Sequence, residues 1–529
     1  LAFATILIFS KWGEVSLAAL SLVRDSLQAP DITAPWSLRL RRQGYQRLVT
    51  FTAHIDLHYF WEKRWFFFAL GVGAALLYSP LPAGLTQEGM IVLAMSVVAT
   101  ILFITEPVPL PTVALLVIVG EVLLLGLDSS DVAKSLMTDS VLFIMGSLML
   151  AVAVVRQKLD QRIAWFIVRF TGTRTSRICF GISVVSGLLA SFIGEHTVAA
   201  MMLPVGITLI SLTSQDRKSV RNLAAVILFS ICYGASVAGI ATPSGGARNA
   251  IMIGYWKEFF YDPLNPETYK FLIDYVTWAI YAYPIFLLQL PLVTAILLAT
   301  FKPEHKDLSR AVAKLRARIR EEGPMTMGNW VAIALFLMVL YAWIFMSSSL
   351  GMGTIAIFGA AAFLVAGLVV WEDINSGVNW GVVLLYAAAI SLGLQMKETG
   401  AADWVAGGFL SILEPIGADQ GLGLWAAVSV FTTAVTNTMS NGAAVAVLGP
   451  IVLKLAVAAE ESPILIGFIT SISSAFAYLT VVGTPACTIV YSAGYLTTGD
   501  FLKVGWRMVI MSTVILLLAA LFYWPLVGV

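Results

Sequence analysis

The chain alternates long apolar runs with short polar ones. Residues 65–81, 90–104, 113–127 and 141–155 are apolar, each near the length that a tilted helix needs to cross about 30 Å of hydrocarbon. Runs at 271–300, 330–345, 355–371, 382–394 and 509–527 predict further spans. Two pairs of arms behave differently. Residues 178–193 and 197–212 have 16 residues each, about 24 Å if helical and marginally short for a crossing. Basic residues stand at both outer ends, Arg174 and Arg177 before and Arg217, Lys218 and Arg221 after. The pattern therefore predicts a re-entrant hairpin over 178–212, its tip at the midplane. Residues 424–439 and 443–459 predict a second hairpin over 424–459.

Two apolar stretches are interrupted. Residues 223–255 carry GIATPSGGARN at 239–249, and 464–482 breaks at VGTPAC before resuming through 489–495. Gly and Pro release backbone groups there, and non-helical backbone at membrane depth is tolerated only where it lines a cavity or is buried in protein. Each stretch predicts a broken helix. Residues 156–177 and 396–407 are amphipathic and belong at the interface.

The interruptions repeat. Gly194 lies ten residues before Pro204, and Ser440 ten before Pro450. Each tip is followed by a Thr-Pro turn, Thr242-Pro243 at 48 residues and Thr484-Pro485 at 44, which defines an internal repeat offset by roughly 245 residues. Residues 1–60 read as an extension with a basic patch of Arg39, Arg41, Arg42 and Arg47. Residues 61–300 form the first transmembrane repeat, 301–327 a cytoplasmic linker and 328–529 the second repeat. Counting hairpins as non-crossing gives eleven spans, with five between corresponding points, so the repeats are inverted. The predicted fold is an all-α polytopic membrane protein, an inverted-repeat transporter with two re-entrant hairpins and two broken helices.

Composition agrees. The 529 residues are 59% hydrophobic and 12% charged, with mean hydropathy +0.87, outside the soluble globular range. A net charge of +1 suggests no nucleic-acid partner. Cys179, Cys232 and Cys487 are scattered and imply neither a disulfide framework nor a metal site. The positive-inside rule places the basic loops and the N-terminus in the cytoplasm, and Glu460, Glu461 and the C-terminus outside. The expected location is a bacterial inner membrane, with lipid as the surrounding partner.

The chemistry concentrates at the interruptions. Glu195 and His196 stand side by side in apolar sequence, and an intramembrane ionisable pair is costly and a functional candidate by default. Among His54, His58, His196 and His305, only His196 falls in an intramembrane stretch. Arg248 follows the first Thr-Pro turn and reads either as an anion or Glu195 partner or as a snorkelling helix-end cation. Candidate substrate-binding residues are Gly194, Glu195, His196, Thr197, Thr242, Pro243, Arg248, Ser440, Asn441, Gly442, Thr484 and Pro485. Ser440, Asn441 and Thr484 are candidate sodium ligands, since half-helix amino termini receive anions and unwound carbonyls hold cations. Glu106 and Glu121 read as helix-end or packing carboxylates. No cofactor is expected, and the coupling ion is Na⁺ or H⁺. A metalloprotease would need His-Glu-x-x-His, and Glu195-His196 has the wrong order and no second histidine. No Gly-x-Ser-x-Gly elbow precedes His196, which argues against a serine hydrolase. The reading is non-enzymatic, although an anion channel stays open on these grounds.

From about Trp61 onward the chain resembles the divalent anion/sodium symporter family, which carries di- and tricarboxylates or sulfate. That family has a Ser-Asn-Thr motif at each hairpin tip and a Thr-Pro loop in each broken helix. Here the second motif is Ser440-Asn441-Gly442 and the first Gly194-Glu195-His196, while the Thr-Pro loops stand as Ala241-Thr242-Pro243 and Gly483-Thr484-Pro485. The resemblance implies a homodimer with a scaffold and a moving transport domain, an elevator motion, and a small anion as cargo. It also implies that the unmatched first tip departs from the family's sodium arrangement, with Glu195, His196 and Arg248 in its place. An arsenite or sodium/proton antiporter of the wider ion-transporter group shares this layout.

Overall fold

In hydrocarbon every backbone N–H and C=O must be satisfied within the chain, so uncharged apolar runs become helices. The computed structural model describes residues 61, 63–157, 171–314 and 325–528. The extension over 1–60, residues 158–170 of the first amphipathic stretch and residues 315–324 of the linker lie outside the described residues. Among the described residues, ten helices are long and apolar enough to cross a membrane. Helix α1 (Arg64–Tyr78) belongs to one unit and everything from Pro80 onward to another. Within α1, Trp65 and Phe68 meet edge to face at 5.6 Å.

The second unit begins with α2 (Gln87–Thr105), α3 (Leu110–Leu124), the short α4 (Ser129–Leu136) and α5 (Asp139–Arg156). A hairpin follows, α6 (Thr175–Ile193) and α7 (Glu195–Thr213), then a broken helix, α8 (Arg221–Ala238) and α9 (Ala247–Phe260), and the long α10 (Tyr275–Thr300). The order then recurs as α11 (Met327–Leu350), α12 (Met352–Val365), the short α13 (Trp371–Gly377) and α14 (Trp380–Glu398). After α15 (Ala401–Leu413) come a hairpin, α16 (Gly421–Thr436) and α17 (Asn441–Ala458), and a broken helix, α18 (Pro463–Ser473) and α19 (Pro485–Ser492). Helix α20 (Thr498–Leu518) continues as a π turn to Tyr523. The two series interlock, with α5 packed on α12, α3 on α14 and α10 on α20. Helix α9 contacts both series and is buried from Arg248 through Trp256.

Several expected boundaries are corrected. The arms of the first hairpin have 19 residues each, about 28 Å, so shortness no longer argues against their crossing. The first arm lengthens at its outer end, from Thr175, while the second gains Glu195 and His196 at the tip, where the turn shrinks to Gly194 alone, at φ +86°, a conformation that suits glycine. The second hairpin spans 421–458 in place of 424–459. The span expected over 355–371 ends at Val365, and Gly367 at φ +67° separates it from α13. The second broken helix resumes at Pro485, not at residue 489, because Thr484 caps it. Helix α20 starts at Thr498, not at residue 509. Lys503 and Arg507 made its first turns look polar, yet Lys503 lies 5.1 Å from the Phe301 ring centroid and Arg507 donates to Thr300 Oγ1 at 2.7 Å. Long basic side chains near helix ends reach polar groups in this way.

Candidate functional site

Breaking a buried helix strands backbone groups that must find partners. In the first break, Asn249 Nδ2 donates to the carbonyls of Gly239 and Thr242, both at 2.8 Å, and Trp278 Nε1 donates to that of Ile240 at 2.8 Å. The Thr242 hydroxyl donates to the Ser191 carbonyl of the adjoining hairpin. In the second break, Asn437 donates to the Phe476 carbonyl at 3.1 Å and accepts from the Leu479 amide at 2.9 Å. Tyr233 OH donates to the Tyr478 carbonyl at 2.8 Å. Thr484 Oγ1 accepts from the amides of Ala486 and Cys487. Many of the unwound carbonyls are thus already bonded, each with a second lone pair to spare.

Both breaks and both hairpin tips face one cavity of about 700 Å³, completed by the end of α2, by α5 and by α14. Helix α7 begins with Glu195 and α17 with Asn441, so two helix amino termini meet there. Asn441 Nδ2 donates to Glu195 Oε1 at 3.0 Å, while Asn441 Oδ1 accepts from Thr436 at 2.9 Å. Arg248, in the first turn of α9, brings Nη1 to 3.5 Å from Glu195 Oε1; the two side chains are only 2% and 7% exposed. Gly239 admits the pair, since a Cβ there would meet both Arg248 Nη2 and Glu195 Oε2. The pairing is incomplete. Arg248 Nε, Arg248 Nη2 and Glu195 Oε2 are buried without a hydrogen-bond partner among the described residues, and an unmet buried polar group costs about 1–3 kcal/mol.

Of the sequence candidates, Gly194, Glu195, His196, Pro243, Arg248, Ser440, Asn441, Gly442 and Pro485 line the cavity. Thr242 and Thr484 stand behind it in the bonds just described, and half-buried Thr197 is not part of the lining. Half-buried His196 has no hydrogen bond to Glu195 among the described residues. Glu106, left-handed at φ 42°, caps α2 and also lines the cavity. Glu121, in the last turn of α3, is fully buried, as a packing residue would be.

Sequence reasoning missed Asn249, Asn437 and Tyr386. Asn249 lies at the end of the first break and Asn437 three residues before the Ser440 tip, and a buried amide beside unwound backbone is a usable signal. Tyr386 of α14 carried none. Its ring occupies the space that a side chain at residue 442 would take, and its hydroxyl has no hydrogen-bond partner among the described residues.

The family model described as the sodium:sulfate symporter transmembrane region matches residues 61–529. A sodium-dependent dicarboxylate transporter of Staphylococcus saprophyticus is 26% identical over 473 residues, covering 84% of this chain and 88% of its own. A sodium-dependent high-affinity dicarboxylate transporter of Caenorhabditis elegans is 27% identical over 473 residues, covering 80% and 81%. The crystal structure of the Alcanivorax borkumensis YdaH transporter has a TM-score of 0.50 at 13% identity, covering 73% of this chain and 86% of that one, a likeness of fold alone.

Proposed function

The chain belongs to the sodium:sulfate symporter family, and we propose that within it this integral membrane protein is a secondary transporter of small divalent anions with a coupled cation. The names of the two relatives favour a dicarboxylate, of the C4 or citrate kind, ahead of sulfate. The observation that carries the reading is Arg248, a buried guanidinium at a cavity between two hairpin tips, held by Glu195 and retaining unbonded donors.

A dianion taken out of water must meet positive charge, since an uncompensated buried charge costs several kcal/mol or more. Arg248 supplies fixed charge, the amino termini of α7 and α17 supply partial charge, and a coupled cation supplies the rest. We assign the fixed charge to Arg248 in preference to His196 because the Glu195 carboxylate sits on the arginine. Ser440 and Asn441 are the retained family residues at the second tip and the candidate sodium contacts. Thr484 acts from behind, as the cap that shapes the loop. With Arg248 at the first tip, transport depends less on sodium there than in the family pattern, exchange being the simplest form.

The hairpins are re-entrant in this reading, the repeats inverted, and the protein a homodimer in a bacterial inner membrane with an elevator motion. The N-terminus is cytoplasmic and the C-terminus external. The protein is not an enzyme. Uptake of labelled dicarboxylate, citrate and sulfate into proteoliposomes, with Na⁺ and pH gradients imposed separately, tests it. Saturable, dicarboxylate-competed uptake with counterflow is expected. Non-saturating flux would mean a channel, and competition by neutral oxyacids but not dicarboxylates an antiporter of the arsenite kind.

A further inference from the structure

Away from the cavity, Glu121 of α3 is fully buried, near the carboxyl end of its helix and against α2, α4 and α14. Ser391 Oγ lies 2.7 Å from Glu121 Oε2, Ser135 Oγ lies 2.7 Å from Ser391 Oγ, and the Val132 carbonyl oxygen lies 2.7 Å from Ser135 Oγ. Glu121 Oε1 has no hydrogen-bond partner among the described residues. The charged residues of the elements packed on α3 are Glu88 and its cap Glu106 from α2, Asp128, Asp131 and Lys134 from α4, and Lys397 and Glu398 from α14. None forms an ion pair with Glu121; Lys134 is bonded to Asp131 and Lys397 to the Glu258 carbonyl.

We propose that Glu121 is a proton-binding site, exchanging with solvent through Ser391 and Ser135. The hydrogens of this chain can be ordered in two ways. With a proton on Glu121 Oε2, the carboxyl donates to Ser391, Ser391 to Ser135 and Ser135 to the Val132 carbonyl, so each donor has one acceptor. With the proton gone, the two hydroxyls turn round and donate towards the carboxylate, leaving Val132 without its side-chain donor. No bond other than O–H is made or broken, and the proton leaves to water at half-buried Ser135. Among the described residues the ionised form has one hydrogen-bond donor and no counter-charge, and an uncompensated buried charge is costly. Among the described residues this hydrogen-bonded row offers a carboxylate, two hydroxyls and a carbonyl, a small oxygen set for an alkali ion.

The full chain in nanodiscs, followed by infrared difference spectroscopy between about pH 5 and 10, tests this without any transport assay. The carbonyl-stretch band of a protonated carboxyl should vanish with rising pH, be absent in Glu121→Gln, and change its titration in Ser391→Ala. A titrating band that persists in Glu121→Gln overturns the proposal. So does the absence of any titrating band, or its removal by sodium at constant pH, which would make this a sodium site. Failure of the transport reading would leave the infrared result standing.

Discussion

Asn441, the first residue of the second hairpin's inner helix, donates a 3.0 Å hydrogen bond to Glu195, the first residue of the corresponding helix in the first hairpin. The two tips are tied through a carboxylate that also holds Arg248. In the proposed mechanism, displacing one tip would change how many bonds the guanidinium has left for an anion.

Asn441→Ala should lower uptake roughly tenfold or more, the equivalent of losing one hydrogen bond to a charged group at about 1.5–3 kcal/mol. Size-exclusion profile and thermal unfolding should stay near those of the unaltered protein, because most of α17's buried contacts are apolar. Near-normal uptake would refute the assignment of this tip.

Arg248→Gln strands Glu195 and should destabilise the protein by about 3–5 kcal/mol, the usual cost of removing one partner from a buried pair. The double variant Arg248→Gln/Glu195→Gln should recover much of that stability while remaining inactive in uptake. His196→Asn should impair uptake less than either. Thermal unfolding beside uptake separates the two effects; an active double variant would show that Arg248 is only structural.

Tyr386→Phe keeps the ring beside Gly442 and removes only the hydroxyl of a residue that lines the cavity. Apparent substrate affinity should fall about tenfold, consistent with one hydrogen bond to an anion, with the maximal rate less affected. Gly442→Ala should be more damaging, since its Cβ would collide with the Tyr386 ring. Concentration series for both variants check this, and an unchanged affinity in Tyr386→Phe would remove the tyrosine from the site.

Lys306 and Gln420 are both exposed, and the proposed inverted topology puts the first in the cytoplasm and the second outside. Single cysteines placed there in a background lacking the three native ones should label from opposite faces with an impermeant thiol reagent. Labelling of both from one side would contradict inversion.

Much of the plan was legible one residue at a time. Long apolar runs must be helical in lipid whatever their neighbours, and Pro243, Pro485 and the surrounding glycines mark the breaks because they cannot sustain a helix. The near-equal spacing of Gly194, Ser440 and the two Thr-Pro turns disclosed the repeat. Boundaries were less legible where charge sits inside a helix, as with Lys503 and Arg507, or where one glycine makes the whole turn, as at Gly194.

What the sequence determined by itself was therefore local: helices, breaks, and the polar residues placed at them. Which of those residues meet was decided only by tertiary packing. Glu195 and His196 are neighbours in sequence, yet Glu195 bonds to Arg248 and Asn441, 53 and 246 positions away. Cys232 and Cys487 come to 3.3 Å, and Glu121 finds its hydroxyl chain on α14 and α4. The physical reason is that backbone satisfaction in lipid is settled within each helix, whereas a buried side-chain donor or charge takes whatever partner the packing of separate helices brings within about 3 Å.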